Sequence, residues 1–357
     1  MRRCGWVLLV VVVGLALAAP AQGASVVFVK KNNVWIAKPD GSRQVRITRD
    51  GTRGSPYYSP SIADNGTIVA LKGIHLHSFR PNGGRIVKPR QWAIDPSPAL
   101  STEPFSVDLS PNGRIVATDN ALYSTYYDPR TGDDRPEFVA LFVDFLNFRT
   151  NKDVGLTDSF YNYWQPAWID SKRVVTTSGY GIFDPQVVVT RVGRRTRGTA
   201  YFRDPARDPA TNTNAFVLMD AEVTRDGGKF AVMRRPLQLP DLSDLRPRTI
   251  QIYRTGNPST ASTPICAIGP GRRIDEFADP SWSPDGKTLY WWERGRGIFS
   301  TPVKSAPGCG LKPRRIIRGG VTPDLSRALA PMDGRPAQIG RYAATDDPSR
   351  LEPAPGR

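Results

Sequence analysis

The sequence predicts an all-β fold built from a repeated antiparallel unit, on three observations. Helical periodicity is almost absent, and apolar residues come instead in short alternating runs, the pattern of strands. Glycine and proline number 32 and 33 among 357 residues, which supplies the punctuation that many short strands need. The third observation is a recurring motif. "DPSWSPDGKTLYWW" at 279–292 has relatives in "SPSIADNGTIVALK" (59–72), "SVDLSPNGRIVATD" (106–119), "QPAWIDSKRVVTTS" (165–178) and "DAEVTRDGGKFAVM" (220–233), with a shortened copy, "VTPDLSRALAPM", at 321–332.

Each full copy reads strand, turn, strand. Proline presets φ at the first corner of the turn, Asp or Asn accepts local backbone hydrogen bonds, and Gly takes the position of positive φ. Aligned on their second residue, the five full copies start 47, 59, 55 and 59 residues apart, room for four strands of about 5–7 residues with their connections. A four-stranded sheet repeated at this period is a propeller blade, and radial closure leaves few exposed sheet edges. Ahead of the first full copy lie three strands, "SVVFVKK", "NVWIAKPDGS" and "QVRITRDG"; after the last lies one, around 323–331. Joining them in one blade predicts a six-bladed β-propeller of four-stranded antiparallel blades, closed by both ends of the chain.

The domain spans 24–332. Residues 1–23 read as an export signal, with Arg2 and Arg3 before an apolar run of 14 residues, Trp6–Ala19, and small residues for cleavage after Ala21 or Gly23. That run is shorter than the roughly 20 residues of a membrane-spanning helix, and no transmembrane segment is expected after cleavage. The protein is therefore expected in the periplasm, the cell envelope or the extracellular medium. Cys4 leaves with the signal, so Cys266 and Cys309 form an even pair in an oxidising compartment and are expected to bond. Residues 333–357, rich in Pro, Arg and Asp and without periodicity, read as a flexible tail. The formal charge of +16 becomes +14 without Arg2 and Arg3, and is spread through arginine-bearing loops. For an exported monomer this points to a protein, a peptide or an anionic envelope polymer as partner and not to nucleic acid.

"VWIAKPDGSRQVRIT" followed by "PSIADNG", and above all "DPSWSPDGKTLYWW", resemble the WD40-like repeats of TolB-type six-bladed propellers. The resemblance covers nearly all of 26–332. It implies the fold and the compartment, without the additional α/β domain that TolB carries ahead of its propeller.

In such a ring, the connections leading into the innermost strands cross one face beside the central channel; we call it the inlet face. Five segments reach it: "GSPYYSP", "TEPFSVD", "FYNYWQPAW", "FVLMDAE" and "DEFADPSW". Tyr58, Phe105, Trp164 and Met219 share one repeat position, with Phe277 one residue further out; Ser59, Ser106, Gln165, Asp220 and Asp279 share the next. Stacking faces around a few directional acceptors suit a peptide or a sugar; the alternative is that the bulky residues wedge the blades apart. The binding candidates are Tyr58, Ser59, Phe105, Asp108, Tyr161, Tyr163, Trp164, Gln165, Asp220, Glu222 and Asp279. No cofactor and no metal are expected. His75 and His77 share a strand face without an evident third ligand, and "DPRTGDDRPE" (128–137) reads as a solvated acidic turn. There is no G-x-S-x-G elbow and no hydrolase domain. The reading is an exported, non-catalytic binding or scaffolding propeller. The alternative is a carbohydrate-active hydrolase or lyase in which Asp108, Asp220, Glu222 and Asp279 converge at the channel.

Overall fold

The computed structural model describes residues 24–91, 100–150, 152–156, 163–178, 186–193, 198–204, 206, 215–236, 249–255, 263–269, 277–304 and 309–328. The expected signal (1–23), the expected tail (333–357) and Tyr161 lie outside them. Among the described residues no helix is long and apolar enough to cross a membrane.

Strands β1 (Ser25–Lys30), β2 (Asn33–Ala37) and β3 (Val45–Arg46) open the chain. The second blade is β4 (Tyr57–Ile62), β5 (Ile68–Lys72), β6 (His75–Phe79) and β7 (Arg90–Gln91). The third is β8 (Leu100–Leu109), β9 (Ile115–Asp128), β10 (Asp133–Asn147) and β11 (Lys152–Leu156). The fourth is β12 (Tyr163–Trp168), β13 (Arg173–Ser178), β14 (Val187–Arg191) and β15 (Thr199–Phe202). The fifth is β16 (Phe216–Val223), β17 (Lys229–Pro236), β18 (Thr249–Arg254) and β19 (Thr263–Ile268). The sixth is β20 (Phe277–Trp282), β21 (Thr288–Glu293), β22 (Gly297–Pro302) and β23 (Arg314–Ile317). Strand β24 (Gly320–Ser326) pairs with β1, so the first blade has the order β24-β1-β2-β3 and the ring closes through both ends of the chain.

Side chains alternate between the faces of a strand, and in a propeller both faces of each blade are covered. In β5, Ile68 and Ala70 join an apolar cluster shared with the first blade, while Val69 and Leu71 join one shared with the third. Six such clusters occupy the six seams between neighbouring blades. This accounts for the burial of contiguous residues such as Ile68, Val69, Ala70 and Leu71, where the alternating runs read in the sequence would bury one face only.

The recurring turn is built from side chains. In the sixth blade Ser283 Oγ donates to Asp285 Oδ1 (2.6 Å), while the amides of Lys287 and Thr288 donate to Asp285 Oδ1 and Ser283 Oγ at 3.1 and 2.9 Å. Gly286 sits at φ +65°. Ser110, Asn112 and Gly113 repeat the device in the third blade, and Thr224, Asp226 and Gly227 in the fifth. In the fourth, where the sequence has Asp-Ser-Lys, Asp170 alone caps the amides of Lys172 and Arg173.

Two features depart from the simple repeat. Strands β9 and β10 have 14 and 15 residues, against the 5–7 expected, because their pairing continues from Ile115 and Asn147 out to Asp128 and Asp133. The stretch read as an acidic turn is thus the tip of a long hairpin, with the turn itself confined to 129–132. Cys266 on β19 is bonded to Cys309, with Cα atoms 5.8 Å apart; the bridge ties the outer strand of the fifth blade to the last hairpin of the sixth.

Candidate functional site

Every innermost strand is interrupted near its start by a bulge. In β4, Ser59 and Pro60 lie between Tyr58 and Ser61, whose partners on β5 are Leu71 and Val69, so two residues oppose one. The same count places Gln165-Pro166, Asp220-Ala221, Asp279-Pro280 and Thr322-Pro323 in the bulges of the fourth, fifth, sixth and first blades. In the third blade the extra residue is Phe105. Proline fits here because a bulge removes the need for its missing N–H. The first residue of five bulges, none of them glycine, has positive φ: Ser59 44°, Gln165 52°, Asp220 48°, Asp279 48° and Thr322 49°. Such conformations cost on the order of 1–2 kcal/mol each, and they persist because the surrounding structure overdetermines them.

What overdetermines them is a pair of hydrogen-bonded rings lining the channel. In the shallow ring the Val107 amide donates to Ser59 Oγ (2.8 Å), Gln165 N to Asp119 Oδ2 (3.2 Å), Asp220 N to Gln165 Oε1 (2.8 Å) and Asp279 N to Asp220 Oδ2 (3.3 Å). In these four steps, from the second blade round to the sixth, a side chain of one blade accepts from the backbone of the next. In the deep ring Ile62 N donates to Asp324 Oδ2 (2.7 Å), Leu109 N to Ser61 Oγ (2.9 Å) and Trp168 N to Asp108 Oδ2 (3.0 Å). The indoles of Trp168 and Trp282 donate to the carbonyls of Asp108 and Glu222, at 3.0 and 3.1 Å. This explains why the repeat places Trp after the bulge.

Around the deep ring the residues are Asp324, Ser61, Asp108, Ala167, Glu222 and Ser281, blade by blade, so a carboxyl group alternates with a small residue. Ser61 Oγ lies 2.7 Å from both Asp108 Oδ1 and Asp324 Oδ2 while accepting from Leu109 N. A hydroxyl has one proton to give. It therefore donates to one carboxylate, and the other carboxyl must be protonated to donate to it. Both carboxyl groups accept from backbone amides, Asp324 from Ile62 N and Leu325 N and Asp108 from Trp168 N, and the charge of Asp324 raises Asp108 further, which favours Asp108 as the holder of the shared proton.

The rings enclose a cavity of about 520 Å³ open on the inlet face. Tyr58 and Phe105 stand at its rim, four prolines (Pro60, Pro166, Pro280, Pro323) line its wall, and Asp119, Asp220, Asp279, Asp108, Glu222 and Asp324 bring their carboxyl groups to it. Below the deep ring, Arg225 of the fifth blade forms an ion pair with Asp64 of the second, three blades away. That pair closes the far end, leaving a void of about 30 Å³ beneath the deep ring. The channel is a cup.

Burial pushes all six carboxyl groups up. Asp108 rises to about 7, by burial and then by the charge of Asp324; Asp119 rises to about 7 and Asp279 to about 6, both by burial. Asp220 is raised by burial and the charge of Asp279, Glu222 by burial and the charges of Asp108 and Asp324, and Asp324 by burial. Asp119 Oδ1, Ser106 Oγ and Thr322 Oγ1 are buried without a hydrogen-bond partner. Among the described residues no three His, Cys, Asp or Glu groups stand close enough together to hold a metal ion.

Of the residues expected at the site, Tyr58, Ser59, Phe105, Asp108, Gln165, Asp220, Glu222 and Asp279 line the cup. Tyr58 also bridges blades, its hydroxyl donating to the Gly73 carbonyl (2.7 Å) and lying 3.2 Å from the Pro104 carbonyl of the third blade. Phe105 is 45% exposed. Met219 packs in the seam between the fifth and sixth blades, Tyr57 in that between the first and second, and Tyr58 against that between the second and third. Tyr163 and Trp164 are the first residues of β12; their side chains, like that of Phe277, lie outside the described set. His77 is buried between Tyr57 and Phe79, where burial lowers it to about 4, while His75 is exposed. Asp119, Ser61, Thr322 and Asp324 were not anticipated. Asp119 lies on a second strand, outside the aligned positions. The others carry a legible signal, the X-Pro-X triplets "SPS" and "TPD" that match "DPS" at 279–281.

No protein-family model matches the chain, and no curated protein matches it in sequence. Among solved structures, TolB from Acinetobacter baumannii superimposes with a TM-score of 0.51 over 85% of this chain and 66% of that one, at 15% identity. The chain is a six-bladed propeller similar in fold to that of TolB. It spans just under two thirds of the TolB chain, and an identity of 15% carries the fold alone. Oligogalacturonate lyase in complex with manganese matches at TM-score 0.49 and 9% identity, over 80% of this chain and 70% of its own. A protein of unknown function from Bacteroides caccae matches at TM-score 0.47 and 9% identity, over 85% of this chain and 99% of its own.

Proposed function

We propose that the protein is an exported binding propeller that engages a protein or peptide through its inlet face, without catalysing a reaction. The observation that carries this reading is the cup, a concave site of about 520 Å³ with an exposed aromatic residue, Phe105, on its rim. Pockets of about 300–1,000 Å³ are those that bury small-molecule ligands, so the cup has room for a side chain together with part of the segment that presents it. A non-catalytic role is supported by the occupation of the carboxyl oxygens. Asp108, Asp220 and Asp324 each accept from the backbone of a neighbouring blade, which fixes them as staples of the ring. The basic exterior supports a partner whose outer surface is acidic, including an anionic envelope polymer.

One observation favours the second reading, a carbohydrate-active hydrolase or lyase. Asp119, which lines the cavity, has a buried oxygen without a partner and is raised to about 7, the condition of a general acid near neutral pH.

Capture from envelope extracts tests the first reading. A partner held by the parent and by Arg314→Ser/Arg315→Ser on β23, but lost by folded Phe105→Ser, is the expected result. Loss in the arginine variant with retention in Phe105→Ser would move the interface to the basic exterior. Release of reducing or unsaturated sugars from a panel of acidic and neutral polysaccharides, abolished by Asp119→Asn, would overturn the non-catalytic reading.

A further inference from the structure

The cup carries charge opposite to that of the chain as a whole. The protein is formally +16, yet six acidic residues line the cavity. The cation at its floor, Arg225, is already paired with Asp64. Three oxygens around the cavity, on Asp119, Ser106 and Thr322, lack a partner, and Asp119 is only 2% exposed. A buried acceptor without a donor is a costly omission unless a ligand supplies one.

We propose that the cup receives a single organic cation, the ammonium of a lysine or the guanidinium of an arginine, presented by the partner that the inlet face engages. The inference rests on the binding reading and names the group that enters. Three features of the site define it. The carboxyl groups are spread over two rings and do not converge as a metal ion requires, whereas an ammonium or guanidinium group has three to five donors that reach spaced acceptors. Between the shallow ring and the deep ring the wall is apolar, made by Pro60, Pro166, Ala221, Pro280 and Pro323, which suits an alkyl stem that carries a charged head past the shallow carboxyl groups. The basic exterior repels a polycation, so the cup selects a lone positive side chain carried by a neutral or acidic segment.

Binding is linked to protons. Asp119, Asp220 and Asp279 in the shallow ring, and Asp108, Glu222 and Asp324 in the deep ring, are raised by burial. Arg225 at the floor opposes the rise at Glu222 and Asp324. A cation stabilises the ionised carboxylates and so expels protons as it binds.

The test uses the purified protein and a fluorescent, end-blocked hexapeptide with one central lysine and otherwise neutral residues. It is compared with the same peptide carrying norleucine, and with 1,5-diaminopentane as competitor. Anisotropy is expected to report binding of the lysine peptide at least tenfold tighter than the norleucine peptide. Asp119→Asn, which keeps an acceptor for the Gln165 amide, is expected to lose that preference while melting as the parent does. Competition by the diamine with equal potency would identify a free amine as the source of the cation; weaker competition would identify the peptide side chain. Equal binding of both peptides, lost in Phe105→Ser, would overturn the cation assignment and leave the inlet-face reading standing. Absence of binding by every amine at millimolar concentration would overturn the assignment outright.

Discussion

A single hydroxyl, that of Ser61, joins the first, second and third blades, and its geometry requires a proton between Asp108 and Asp324. Charge follows from this. A carboxyl group whose folded pKa lies above its unfolded value of about 3.9 binds more protons folded than unfolded, so its contribution to stability is complete below that value. The contribution is lost as pH rises through the folded pKa, which for Asp108 and Asp119 is about 7. The surface carboxylates Asp40, Asp226 and Asp285 are shifted down by hydrogen bonds and nearby lysines and lose stabilisation only in the acid range. The melting temperature is therefore expected to be higher at pH 5 than at pH 8. Asp108→Asn keeps an acceptor for Trp168 N and gains a donor for Ser61, so it is expected to melt like the parent at pH 5. At pH 8 it should melt roughly 3 °C higher, about 2 kcal/mol for a domain of this size. Scanning calorimetry of both proteins at the two pH values checks this, and a parent more stable at pH 8 would contradict it. None of this was legible in the sequence, because a pKa is set by groups from three blades that are up to 263 residues apart.

At the level of the element, the sequence was most informative where local chemistry fixes conformation. The Ser-x-Asp-Gly turn satisfies its own amides, and so it marks blades wherever its residues survive. The shortened copy at 321–332 was recognisable as a closing strand, and it pairs with β1 as the strand count required. The long β9–β10 hairpin was missed because acidic residues at 128–137 suggest a turn, while cross-strand pairing carries the ladder through them. The bulges were also missed. Their cause is tertiary: at Gln165, Asp220 and Asp279 the amide of the positive-φ residue is held by a side chain of the preceding blade. Trp282 tests how firmly these strands are stapled. Trp282→Phe keeps most of the apolar volume but removes the indole bond to the Glu222 carbonyl and leaves that carbonyl unpaired, at a cost of about 1–3 kcal/mol. Denaturant unfolding should show the loss in the midpoint with an unchanged slope; a variant as stable as the parent would mean that the staple contributes nothing.

In the whole molecule, closure by strands from both ends, with a disulfide linking the fifth and sixth blades, holds six inner strands in a rigid ring. Ring closure has a chemical consequence. It forces polar residues from every blade toward one axis, where burial raises their pKa values and an ion pair between opposite blades, Arg225 with Asp64, makes a cup of what is elsewhere a channel. The aligned positions indicated which residues would gather at the mouth, and eight of the eleven line it. They could not show depth or the closed floor, and whether Asp108, Asp220, Glu222 and Asp279 converge there depends on contacts between blades that are far apart in the chain. The account stands on that acidic, proton-laden cup taking a cation. Calorimetric titration with the lysine hexapeptide at pH 6 and pH 8, in two buffers of different ionisation enthalpy, tests it most directly. Tighter binding at pH 8, with a heat at pH 6 that depends on the buffer as proton release demands, is the predicted result. Affinity independent of pH, with no buffer-dependent heat, would contradict it.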